Sequence, residues 1–295
     1  MQFVRPDFYD SFHCLAGACR HSCCVGWEID VDEETLELYR RVPGEFGERL
    51  RRSVSTAETP HFILTPDERC PLLRADGLCD LILNLGEDAL CDICASHPRF
   101  YNELPGRMEA GLGLCCEEAV RLLTEGTDHL CLLVEEDDAG AALPPLLQQR
   151  AEIYAMLRED AVPLSERMSM ALSLLHAQLP PFSARETARF FLSLERMDDS
   201  WTQLLEELAS TQEQALEPHL SIMRYTRITE YLIYRHFSSG PAEEAASRLR
   251  FCFHAAQLIC ALEALSPEAP RLFSAEIEYS DENIEKIREW LDGQN

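Results

Sequence analysis

The chain has 295 residues, 46% of them hydrophobic, which is enough for one large or two modest cores, and a formal net charge of −26 from 52 acidic and 26 basic residues. That balance repels nucleic acid and anionic membrane, and favours a cationic partner such as a lysine-bearing protein surface. No stretch approaches the roughly 18 uninterrupted apolar residues of a membrane span, and the first ten residues lack the basic start and apolar run of a signal peptide, so a cytoplasmic protein with reduced thiols is expected.

Ten of the 13 cysteines precede residue 117. Cys14, Cys19, Cys23 and Cys24 come first, between Phe12 and Trp27. In a reducing compartment such density points to metal before disulfides. Asp30 and Glu33 then stand at capping-box positions for a helix reaching about Val42, with Pro43, Gly44 and Gly47 ending it and a weakly specified polar stretch running to Pro60. His61 to Leu64 has β character. The Asp76-Gly77 turn is expected to fold Cys70 and Cys79 back towards each other, as hairpins do in many small metal sites.

Asp80 to Leu85 and Glu87 to Ser96 read as two short helical pieces, the second carrying Cys91 and Cys94 on one face. Arg107 to Leu114 is a possible strand, Cys115-Cys116-Glu117-Glu118 opens a helix with acids in its first turn, and His129 to Val134 is a second candidate strand. The acidic, small-residue loop Glu135 to Gly140 marks the expected boundary between a cysteine-rich metal-binding domain, 1–135, and a helical domain, 143–295. Periodicity there predicts helices over 144–160, 164–179, 184–197, 201–216, 219–237, 242–265 and 281–291. The fold class is mainly α, with a small irregular α+β portion in the first half.

Nine cysteines are candidate ligands: Cys14, Cys19, Cys23, Cys24, Cys70, Cys79, Cys91, Cys94 and Cys116. They suffice for two four-thiolate sites with one over, or for one site with spectators. Thiolate softness selects zinc or an iron–sulfur cluster and does not separate them. Adjacent side chains diverge in an extended chain, so one of Cys23 and Cys24 is expected to serve a different ion, or none. His13, His21, His61 and His97 stand near cysteines and are read as hydrogen-bonded bystanders. Cys131, Cys252 and Cys260 lie in apolar runs and are read as core, and Cys115 as a spectator. The glycine-rich turn and the phosphate loop of nucleotide-cofactor sites are missing, and the cysteine spacing departs from that of radical S-adenosylmethionine enzymes.

Taken in order, Phe12 to Cys14, Cys24 to Asp30, Cys70 to Leu73, Gly77 to Asp80, Leu85 to Cys94 and Pro98-Arg99 resemble the flagellin lysine-N-methylase (FliB) family. Cys116 and Glu118 match that family's next landmark, while Cys115 and Glu117 depart from it. Glu230 to Phe237 and Glu276 to Asn283 are similar to its late helical segments, so the resemblance spans most of the chain. It implies methyl transfer from S-adenosylmethionine to lysine side chains of flagellin, by a protein whose cysteines hold an iron–sulfur cluster of the 4Fe–4S kind, with zinc as the alternative metal. An amine must lose its proton before attacking a methyl sulfonium, so a buried acid or tyrosine is expected nearby. Glu28, Asp30, Arg99, Tyr101 and Glu118 are close in sequence, and none is assigned that role. The competing class is a non-enzymatic zinc- or iron-carrying adaptor.

Overall fold

The computed structural model describes residues 1–57, 59–135, 143–211 and 221–294. The chain divides into two compact units, one formed by 13–100 with 116–118 and the other by 1–12, 101–115 and 119–295. The expected boundary loop falls mostly outside the described residues, and the units divide the chain elsewhere. The reason is strand pairing. β1 (Gln2–Pro6) lies parallel to β5 (Arg107–Leu112) and antiparallel to β6 (Leu132–Glu135), and this draws the N-terminus and residues beyond 100 into the larger, helix-rich unit. With β4 (Arg99–Leu104) the strand order is β4-β5-β1-β6.

In the cysteine-rich unit, α1 (Glu33–Arg41) is capped by Asp32, whose carboxylate accepts from the Thr35 amide at 2.8 Å. Asp30, the residue expected to cap, is instead bridged to His61. The polar stretch read as an insertion is a second helix, α2 (Gly44–Arg52), packed on α1. Gly44 turns the chain at φ +73, and a Cβ on Gly47 would meet the Val42 carbonyl at 2.0 Å, so both glycines build the helix pair that their breaker character seemed to deny. β2 (Val54–Ser55) pairs with β3 (His61–Phe62). Short helices α3 (Asp80–Leu85) and α4 (Asp92–Ser96) follow, and α5 (Glu117–Thr124) begins in this unit.

The larger unit adds α6 (Pro145–Leu157), α7 (Leu164–Ser173), α8 (Ala184–Phe191), α9 (Asp199–Ser210), α10 (Ile222–His236) and α11 (Ala245–Glu263). α12 (Ala269–Phe273) runs into a π turn, Ser274–Glu278, before α13 (Asp281–Asp292). The expected ends of the fourth and start of the fifth C-terminal helix fall partly on 212–220, outside the described residues. α11 is apolar nearly all round because it is enclosed by α10, α7, α9, α12 and α13. Two of the carboxylates buried inside are paired. Glu109 receives Arg107 Nε at 2.7 Å and Arg150 Nη1 at 2.8 Å, and Glu230 accepts from the Leu130 amide at 2.8 Å. The chain is thus mainly α with a small sheet portion. Among the described residues no helix is long and apolar enough to cross a membrane.

Candidate metal centre

All nine candidate cysteines lie in the smaller unit, and all are free thiols. Local pairing explains how residues far apart in sequence meet. After the doublet the chain runs antiparallel to 68–70, with Gly26 donating to the Glu68 carbonyl and the Cys70 amide to the Cys24 carbonyl, each at 2.8 Å. Cys24 is therefore laid beside Cys70. The Asp76-Gly77 turn forms as expected, with Gly77 at φ +77 and Leu73 bridged to Cys79, which returns Cys79 towards Cys70. Asp32 brings in the last pair: its second oxygen accepts from the Asp92 amide at 3.0 Å, so one carboxylate caps α1 and also fixes the chain next to Cys91.

Cys70 and Cys91 are buried in a core with Tyr39, Phe62, Leu72 and Leu81, and Cys24, Cys79, Cys94 and Trp27 pack against it. The Tyr39 hydroxyl donates to the Ala89 carbonyl at 2.9 Å. Burial pushes the Cys70 thiol up to about 12, with Cys24 and Cys79 adding like-charge repulsion. Burial likewise raises Cys79. The Cys91 and Cys94 thiols hydrogen-bond each other, so the Cys91 thiolate is favoured and that of Cys94 strongly resisted.

The remaining candidates lie together on the first cysteine loop and the start of α5. The Ala16 amide donates to Cys14 Sγ at 3.4 Å, and Cys19 Sγ to the His21 carbonyl at 3.3 Å. Glu117 ties the loop down, one oxygen 3.1 Å from the Arg20 amide and the other 2.8 Å from His21 Nδ1. That tie, which sequence reasoning missed, brings the loop to Cys116, the neighbour of Glu117. Burial pushes Cys19 up to about 11, with Glu117, Cys116 and Cys14 adding to it. Cys23 stands near Cys14 and Cys116, and its thiol also hydrogen-bonds that of Cys24. This favours the Cys24 thiolate, at about 7, and raises Cys23. The two thiols of the doublet are thus coupled in their ionisation.

Among the described residues, no three Cys, His, Asp or Glu side chains close around one point as ligands of a single ion. The thiols are gathered without being caged. Their chemistry fits a soft cation, because the donors are all sulfur. Three of the four histidines read as bystanders have other engagements: His21 with Glu117, His61 with the Thr59 carbonyl at 2.8 Å, and His97, half-buried near Trp27 and lowered to about 4 by desolvation.

Outside this unit, Cys252 is fully buried as expected, Cys260 is partly so, and Cys115 lies 3.4 Å from the Tyr279 hydroxyl. Cys131 is a correction. It is exposed, because it leads into β6, which lies at the end of the sheet order and shows Leu133 and Val134 to solvent, and it lines a cavity of about 480 Å³.

This chain is 25% identical over 171 residues to a lysine-N-methylase of Salmonella typhimurium (strain LT2), a match covering 52% of this chain and 41% of that protein. The chain is thus similar to lysine-N-methylases over about half of its length. The lysine-N-methylase of Salmonella choleraesuis matches to the same extent, and the flagellar biosynthetic protein FliU of Salmonella muenchen is 24% identical over 167 residues, 52% of this chain and 95% of FliU. The match therefore spans less than half the length of the lysine-N-methylases. No protein-family model and no solved structure matches the chain.

Proposed function

We propose that this protein is a lysine-N-methylase that transfers methyl groups from S-adenosylmethionine to lysine side chains of flagellin, and that its cysteine-rich unit holds an iron–sulfur cluster. The match to the curated lysine-N-methylases over half of the chain carries the reading. The flagellar name of FliU supports flagellin as substrate. Cys14, Cys19, Cys23, Cys24, Cys70, Cys79, Cys91, Cys94 and Cys116 are the residues that would hold the metal. When bound, an iron–sulfur cluster supplies one-electron chemistry at a potential set by hydrogen bonding and burial. The chain's own contribution is twofold. Asp32, Glu117 and the turn at Gly77 position the thiols, and the net charge of −26 draws lysine-bearing surfaces towards the protein.

The test is incubation of anaerobically prepared protein with flagellin and S-adenosylmethionine, followed by peptide mass spectrometry. Increments of about 14 Da on lysine-containing peptides, the mass of an added methylene, are expected. Unmodified flagellin, under conditions where the donor demonstrably binds, would favour the adaptor reading instead.

A further inference from the structure

In the larger unit, the cavity of about 480 Å³ beside β6 has apolar walls at Leu130, Leu132 and Met223, and Asp128, His129 and Asp160 also line it. His129 is held from one side. Its Nδ1 stands 3.0 Å from Oε1 of Glu230, a side chain with no solvent exposure whose other oxygen accepts from the Leu130 amide at 2.8 Å. A carboxylate only accepts, so it selects the tautomer with hydrogen on Nδ1 and leaves a lone pair on Nε2. Asp160 Oδ2 lies 3.4 Å from Nε2, placed to accept from the imidazolium once Nε2 has taken a proton. The fixed charges around the ring do not balance. Asp128, Asp160 and Glu230 bring three carboxylates; Arg158, with Nε 3.5 Å from Glu230, and Arg167, with Nη1 2.9 Å from Asp160, bring two guanidiniums. Arg227, which donates to the Asp128 carbonyl at 2.6 Å, is offset by Asp7 at 3.4 Å. With a neutral imidazole the site is therefore one cation short.

We propose that this cavity binds the side chain of a substrate lysine, with its methylene stem along Leu130, Leu132 and Met223 and its ammonium by Asp128 and Asp160, and that His129 takes the ammonium's proton. This rests on the lysine-methylation reading above and deepens it. In the step, one N–H bond of the ammonium breaks, its electron pair stays on nitrogen as the nucleophile, and the proton moves to Nε2. Both ring nitrogens then donate, Nδ1 to Glu230 and Nε2 to Asp160, so the new positive charge is neutralised where it forms. The ring is 19% exposed, which lets that proton pass on to water.

Cys131 reports occupancy without turnover, because its exposed thiol lines the same cavity. On the whole chain, with N-acetyl-lysine methylamide as probe, alkylation of Cys131 by iodoacetamide, read by peptide mass spectrometry, should slow severalfold and saturably. The same probe acetylated on its ε-nitrogen carries no charge and should not protect. Asp128→Asn combined with Asp160→Asn should abolish protection, whereas His129→Gln should retain it. In methyl transfer to flagellin, His129→Gln should keep KM and lose roughly 10²-fold in kcat at pH 7. The variant's kcat should then climb roughly tenfold per pH unit between about 8 and 10, as solvent deprotonates the amine unaided. No protection by the charged probe, or equal protection by the neutral one, would overturn the site, and the wild-type chain alone suffices for that result. Wild-type kcat and pH profile in His129→Gln would overturn the proton transfer. Protection of Cys131 in a chain that never methylates flagellin would keep the amine site and defeat only the reading beneath it.

Discussion

At the scale of single residues, ligand and core cysteines part company in what their loss removes. Cys252 is fully buried, with Sγ 3.4 Å from the Leu232 carbonyl, so Cys252→Ala should cost on the order of 1 kcal/mol in a denaturant titration and leave the metal content unchanged. Metal lost from that variant would show that the thiols of the larger unit had been wrongly set aside. Glu278 gives a prediction in pH. Burial pushes its carboxyl up, but Arg235 and a hydrogen bond from His236 Nε2 at 2.8 Å outweigh that and hold it at about 2. A carboxyl depressed in the folded state stabilises above its unfolded value, about 4.5, and loses that contribution as pH falls through the folded one. The contribution is on the order of 3 kcal/mol. Glu278→Gln should therefore lower the melting temperature at pH 7, and the gap to wild type should narrow steadily between pH 4.5 and pH 2; a gap independent of pH would refute the charge assignment. The turn at Gly77 was legible in the sequence because Asp-Gly between apolar residues is a local signal. The exposure of Cys131 was not, since an apolar run at the edge of a sheet reads like one at its centre.

Among the elements, Asp32 carries the most. Its two oxygens cap α1 and hold the start of α4, so Asp32→Ala should cost about 1–2 kcal/mol for the cap alone and loosen the chain beside Cys91. Denaturant titration of the metal-free chain measures the cap, and metal content measures the effect on Cys91. A variant that keeps both stability and metal would remove Asp32 from the account. The cap falls two residues beyond the expected Asp30, which is bridged to His61 instead. Non-local pairing also hid β1 and β4, which have no strong alternation of their own, and it hid the contact of Cys24 with Cys70. α2 was obscured for the opposite reason. Pro43, Gly44 and Gly47 are breakers by propensity, yet here Gly44 turns the chain at φ +73 and Gly47 leaves room for the Val42 carbonyl at the end of α1. The C-terminal helices were legible because their apolar spacing is long and regular, whereas the π turn at Ser274–Glu278, an insertion into that regularity, left no mark on it.

On the scale of the whole molecule, the chain combines a thiol-rich unit with a strongly acidic surface. If the net charge of −26 recruits lysine-bearing flagellin, the KM for flagellin should rise severalfold between roughly 0.05 and 0.3 M salt while kcat changes little, because added ions screen long-range attraction. A KM indifferent to salt would assign the acidity to solubility alone. The mainly helical fold class and the gathering of nine thiols in one unit were both readable from composition and spacing. The membership of that unit was not, since it depends on strands that draw residues 1–12 away from their sequence neighbours and on Glu117, whose partners lie nearly a hundred residues earlier. The proposal that this unit is organised around a soft metal is tested most directly by the iron, zinc and acid-labile sulfide content of the chain purified without oxygen, with its absorption spectrum. A brown protein with broad absorption at roughly 400 nm and both iron and sulfide bound is expected. A colourless, fully folded chain with stoichiometric zinc would contradict the cluster, and one with no metal at all would contradict the claim itself.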